Sequence, residues 1–174
     1  GSNSGAAYVF EQQSNGTWKQ VATLKADNAG SFDYFGHSVA IDGNTIAVGA
    51  YGEDTKASSA GMIYIFRLVA GSWKQVQKLT ASDGKSNDYL AREGALEIRG
   101  NRLIAGAYGV DTKGSLSGAA YIWEANALGV WTQTAKLVAT DGQSSDYLGR
   151  YGVAIEGDVA VVGANGEDTK ASGA

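Results

Sequence analysis

The residues best suited to chemistry in this chain are carboxylates, and they recur. Asp54, Asp111 and Asp168 each open an identical Asp-Thr-Lys at intervals of 57 residues, and Asp83 with Asp88 and Asp141 with Asp146 repeat a spacing of five. Oxygen donors gathered this way are what a hard cation such as calcium takes, roughly six to eight at a time. Lys56, Lys85, Lys113 and Lys170 stand among the same acids, which counts against a metal. Asp, Ser and Gly in short loops also hydrogen-bond their own backbone. Two readings therefore stand: loops that cap themselves, and a cation site built from the Asp83/Asp88 or Asp141/Asp146 pairs.

No catalytic set accompanies the acids. The single histidine, His37, has no repeat counterpart beyond the nearby Glu93 and Arg150, and reads as a surface or channel residue rather than a base. No Ser-His-Asp order, Gly-rich phosphate loop or Cys/His metal spacing occurs, so we expect no enzyme and no cofactor, with calcium the one ion left open. A formal charge of −4 without a basic cluster argues against nucleic acid, and no apolar run approaches the ~18 residues of a membrane span. Zero cysteine excludes disulfides without fixing a compartment.

The elements that must carry these loops form one pattern written three times. Ser4-Gly5-Ala6-Ala7-Tyr8-Val9-Phe10 returns as Ala60 to Phe66 and as Ser117 to Trp123, and Trp18, Trp73 and Trp131 keep step. The repeats run over about 4–59, 60–116 and 117–172 of a single segment, 1–174, and Ser172-Gly173-Ala174 restates Ser4-Gly5-Ala6. Units of this size cannot bury their own apolar faces and must lean on their neighbours.

Each repeat holds four strand-like runs, which in the first full set are Gly36 to Ile41, Thr45 to Ala50, Met62 to Phe66 and Trp73 to Leu79. Val39-Ala40-Ile41 and Ile46-Ala47-Val48 are continuously apolar, as in strands covered on both faces. The run from Trp73 mixes apolar and charged residues and reads as a half-exposed outer strand. Between the two inner runs, Asp42-Gly43-Asn44, Arg99-Gly100-Asn101 and Glu156-Gly157-Asp158 make tight hairpins. Four antiparallel strands graded from buried to exposed, with no helical period, predict an all-β chain of β-propeller blades.

Tyr34-Phe35-Gly36-His37-Ser38-Val39-Ala40-Ile41, then Ile46 to Ala50, then Gly61 to Phe66, resembles the FG-GAP repeat known from the propeller of integrin α subunits. Tyr147-Leu148-Gly149 to Ala164 matches nearly as well. The second copy departs with Leu90-Ala91 in place of Phe-Gly, and the family's final Pro is Tyr51, Tyr108 or Asn165 here. The resemblance implies an extracellular or cell-surface module for adhesion and assembly. It also implies a calcium loop, D-x-D-x-D-G-x-x-D, between the inner strands. That place is taken by the short Asp42, Arg99 and Glu156 turns, so the family's calcium site is not expected.

The family's strand order gives an incomplete ring with complementary ends: two outer strands, two full blades, two inner strands. Self-association through these half-blades, into a closed propeller or a filament, is one expected function. A lectin-like, carbohydrate-binding propeller is the alternative. The loops after the second and fourth strands of each blade emerge on one face with 11 of the 18 acidic residues, and Tyr51, Asp54, Tyr108, Asp111 and Asp168 are its candidates for partner contact. The recurring Trp18, Trp73, Trp131, Tyr8, Tyr64 and Tyr121 read as core between blades. Asn15-Gly16-Thr17 is an N-glycosylation sequon in an outer hairpin, with Asn15 the acceptor.

Overall fold

The computed structural model describes residues 1–168, which form strands and loops with no helix among them. Twelve strands arise in chain order: β1 Ala7–Gln12, β2 Trp18–Leu24, β3 Ser38–Asp42, β4 Thr45–Ala50, β5 Met62–Val69, β6 Ser72–Leu79, β7 Leu96–Arg99, β8 Arg102–Ala107, β9 Ala119–Ala125, β10 Trp131–Leu137, β11 Leu148–Glu156 and β12 Val159–Ala164. They make two four-stranded antiparallel sheets, β3-β4-β5-β6 and β7-β8-β9-β10, flanked by the two-stranded sheets β1-β2 and β11-β12. This is the predicted blade order, in sheets that do not close into a ring.

Local chemistry explains the spacing. Each inner hairpin turns in two residues, with Gly43, Gly100 and Gly157 at φ of 52°, 57° and 53°, a conformation in which any side chain is strained. Each outer pair carries a bulge at one repeat position, between Val9 and Phe10, Ile65 and Phe66, and Ile122 and Trp123. Sheets are tied in series by backbone bonds from Phe35, Leu90 and Leu148 N–H to the Ser4, Ala60 and Ser117 carbonyls.

The apolar core lies between sheets rather than within them. Ala47, Ile63 and Ile65 on one face of the first full sheet pack with Leu96, Ile98 and Trp123 of the next. The other face, with Val48, Tyr64 and Phe66, meets Val9 and Leu24 of β1-β2. Ile104 and Ala120 meet Ile155 of β11-β12.

Two expectations need correction. Val39 and Ile41 were expected to be covered on both faces, yet they are 58% and 62% exposed, whereas Leu96 and Ile98 at the same places in β7 are 6% and 3% exposed. The sheet preceding β3 has only two strands, so nothing stands opposite this pair. Of the recurring aromatics, Tyr64, Tyr121 and Trp131 are buried and Trp73 is partly buried against the core, but Tyr8 and Trp18 are exposed, because among the described residues no sheet stands before β1-β2.

Candidate functional site

The loops after the second and fourth strands come together on one face, where they hold each other in unusual backbone. Phe32, Asn87 and Ser145 have φ of 67°, 65° and 70°, and Tyr34, Tyr89 and Tyr147 have 56°, 55° and 56°. Left-handed backbone at bulky residues costs about 1–3 kcal/mol each and persists only where neighbours over-determine it. Here the N–H groups of Asn87 and Tyr89 donate to the Ser58 and Ser59 carbonyls, and those of Ser145 and Tyr147 to Ser115 and Leu116.

This strained backbone aims a file of tyrosines along the face. Tyr34 stacks on Tyr51 at 4.9 Å, Tyr51 meets Tyr89 at 6.2 Å, Tyr89 stacks on Tyr108 at 5.4 Å and Tyr108 meets Tyr147 at 6.1 Å. Cations fill the gaps. The Arg92 guanidinium lies 4.6 Å from the Tyr51 ring and 5.1 Å from Tyr89, and Arg150 lies 5.2 Å from both Tyr108 and Tyr147. Arg92 Nη1 donates to the Tyr108 hydroxyl, and Arg150 Nε donates to Glu93 at 3.0 Å. Arg92 Nε is 3.4 Å from the other Glu93 oxygen but has no aligned hydrogen bond.

His37 belongs to this file. It follows Tyr34 by three residues, as Arg92 follows Tyr89 and Arg150 follows Tyr147, so it does have repeat counterparts. Its ring packs edge-on against Tyr51 at 4.6 Å, and its Nδ1 accepts the Glu93 N–H at 3.0 Å. Burial, then the nearby Arg92 charge, lowers its pKa. An imidazole held neutral with one nitrogen engaged is a packing group here.

Among the partner candidates, Tyr51 is half-buried under Tyr34 and Arg92, while Tyr108 is buried within the file and presents no free ring. Asp54, Asp111 and Asp168 are exposed. Asp54 and Asp111 turn an oxygen to the N–H of Ser59 at 2.6 Å and of Leu116 at 2.8 Å, five residues on. The residue in that position after Asp168 lies outside the described residues. Asn15 is exposed in the β1-β2 hairpin, its side-chain oxygen accepting from the Thr17 N–H and hydroxyl.

The acid pairs resolve into individual duties. Asp33, Asp88 and Asp146 are buried and accept the N–H of Gly30, Lys85 and Gln143, three residues back, at 2.6, 2.8 and 2.6 Å. Asp83 accepts from the Lys136 ammonium at 2.6 Å and the Tyr121 hydroxyl at 2.9 Å. Burial alone would raise its pKa, but those two partners bring it below the ordinary value. Lys136 lines a hollow of about 140 Å³ together with Asp83 and Asp88, so its ammonium supplies positive charge beside this acid pair. Among the described residues no three His, Asp or Glu side chains are grouped to hold a metal ion. With Asp33, Glu53, Asp88 and Asp146 buried, fewer charges reach the surface than the sequence count implies.

Burial raises the pKa of Asp88 against the pull of the Lys85 N–H. The folded chain therefore holds this proton to higher pH than the unfolded chain, and Asp88 takes stability away as pH rises from about 3.8 through its folded value. Asp88→Asn should remove that loss: relative to the parent, it should be more stable at about pH 7 than at about pH 3, as read by denaturant titration. Comparing two pH values cancels any packing change common to both.

Comparison with known protein families matches the FG-GAP repeat at residues 18–66, 73–123 and 131–174. The chain belongs to the FG-GAP repeat family. The first two FG-GAP matches begin at the outermost strand of one sheet and run into the third strand of the next, and the third begins at β10 and takes in β11 and β12, so the sequence unit straddles two sheets and locks them in series. FG-GAP repeats are found in extracellular, adhesion-type β-propeller modules, and such propellers are generally not enzymes. No curated protein sequence matches this FG-GAP chain. No helix of the described residues is long and apolar enough to cross a membrane.

The residues sequence reasoning missed are Arg92, Arg150, Tyr34, Tyr89 and Tyr147. Their signal was available as an arginine three residues after Tyr89 and Tyr147, hidden because the residue in that place after Tyr34 is His37.

Proposed function

We propose that this chain is a non-enzymatic, extracellular structural or adhesion module that acts by protein–protein assembly through its two open half-blades. One observation carries the reading. Repeat positions that are buried between sheets elsewhere in the chain lie in the open on β1, β3 and β12, where Tyr8, Phe10, Val39, Ile41 and Val161 are all exposed. Contiguous apolar surface along an unpaired strand edge is a docking surface or an aggregation hazard. A hairpin-borne sequon at Asn15 agrees with an extracellular setting without being needed for it. The carbohydrate reading loses its support at the tyrosine file, whose ring faces are taken up by each other and by Arg92 and Arg150.

Light scattering after size exclusion tests the assembly role. The expected result is a species heavier than the 18.0 kDa chain, growing with concentration. A chain that stays at 18.0 kDa up to about 1 mM overturns the proposal.

A further inference from the structure

Resting on that assembly reading, we infer that the partner is a second copy of this chain, and that two copies join by pairing β12 of one with β1 of the other.

The chain contains this contact twice already, as β4 against β5 and β8 against β9. Both ladders have one register: Ala50 opposite Met62 through Thr45 opposite Arg67, and Ala107 opposite Ala119 through Arg102 opposite Glu124. Carried through the repeat, it sets Ala164 opposite the partner's Ala6 and Val159 opposite the partner's Glu11, with Val161 facing the partner's Val9. β12 and β1 are hydrogen-bonded on one side only among the described residues, to β11 and β2.

The side chains answer the same geometry. Val161 takes the place of Ala47 and Ile104, which are 0% exposed and pack onto the following sheet, yet Val161 is 64% exposed. A trough of about 610 Å³ runs between β1 and β3, with Val39 and Ile41 in its wall, and the ladder drops Val161 of the other copy onto that pair. On the opposite side of the joint, a second trough of about 310 Å³, walled by Ile122, Ala135 and Ala160, receives Phe10. Phe10 is the counterpart of the buried Phe66 and Trp123.

Polar partners also come in matched pairs. Within the chain, the Tyr64 hydroxyl donates to Asn28 and the Tyr121 hydroxyl to Asp83, and the Gln75 and Gln133 side chains accept the N–H of Asp27 and Ser82. One repeat further on, the counterparts are Tyr8 with Asp141 and Gln20 with the Thr140 N–H. All lie at the open ends, and all come together only across two copies.

Because the chain has no cysteine, disulfide trapping reads the register directly. Single-cysteine chains are mixed and oxidised as in-register pairs, V161C with V9C and A160C with F10C, and as pairs shifted by two, V161C with E11C and A160C with Y8C. Directly opposed pairs alternate between wide and close, so one of the two in-register mixtures presents the close geometry. Expected is a covalent dimer containing one chain of each kind, at least about tenfold above either shifted pair, on a background of associated species heavier than 18.0 kDa. Val161→Glu, a change at an exposed site that leaves the monomer folded, should weaken association at least about 100-fold. Equal trapping in shifted pairs, or association with no in-register trapping, overturns this inference and leaves the assembly reading intact. A monomer throughout overturns both readings.

Discussion

Trp123→Ala should cost about 3–5 kcal/mol of folding stability, while Phe10→Ala at the same repeat position should cost less than about 1 kcal/mol in the dilute monomer. Trp123 is 2% exposed, Phe10 52%. Trp123 stands opposite Leu103 on β8 and Gln133 on β10 and packs against Tyr121 at 6.0 Å, inside the cluster that joins the two complete sheets. Its removal leaves a cavity walled by strands from both sheets, which cannot collapse without moving a hydrogen-bonded ladder. Phe10 lies on a face with no sheet opposite, so its truncation removes little that is out of water. For a chain this size the first change corresponds to a fall in Tm of roughly 6–20 °C. Denaturant titration at low and high concentration separates the cases: the Phe10→Ala penalty should grow with concentration if Phe10 is buried on assembly, and the Trp123→Ala penalty should not.

That contrast marks where sequence reading stops. The strands, their antiparallel order and the hairpin glycines were legible because apolar runs, Gly at fixed offsets and the Trp-to-Leu spacing are local signals. Burial was not, because a strand's pattern reports what it is suited to and not whether a neighbour is present. Val39-Ala40-Ile41 reads as a doubly covered strand, and it is one in kind; the covering sheet has only β1 and β2 and lacks the strands that would face it. The tyrosine file failed to show for a different reason. Tyr34 to Gly43 is nine residues, Tyr89 to Gly100 eleven and Tyr147 to Gly157 ten, so the copies slip out of register where His37, Arg92 and Arg150 would line up. The acid loops divided evenly: the self-capping bonds of Asp54 and Asp111 follow from residue type, whereas the Lys136 ammonium over Asp83 comes from a strand 53 residues away.

The second large effect concerns a glycine whose φ is ordinary. Gly109 follows β8, and a methyl group there would run into the backbone carbonyl of Asn87 and lie 3.0 Å from the Asp88 Cα. Gly52 makes the same approach to the Phe32 carbonyl, and Gly166 to that of Ser145. In each case the carbonyl belongs to the left-handed residue that opens the tyrosine file, and the glycine N–H donates to the next residue, Asp88 at 3.2 Å in this instance. The obstacle is backbone, already clamped by the Asn87 N–H on the Ser58 carbonyl at 2.8 Å. No rotamer change relieves it. Gly109→Ala should therefore lose about 3 kcal/mol or more. Two other glycines isolate the cause. Gly100→Ala, with open space but φ of 57°, should lose about 1–2 kcal/mol from backbone strain alone. Gly152→Ala, with open space and no positive φ, should stay within about 0.5 kcal/mol. Denaturation midpoints in the order Gly152→Ala, Gly100→Ala, Gly109→Ala, from highest to lowest, would place the constraint in the contact between loops. A Gly109→Ala midpoint near that of Gly152→Ala would mean that the loops carrying the tyrosine file can separate freely, and that the face they build is not rigid.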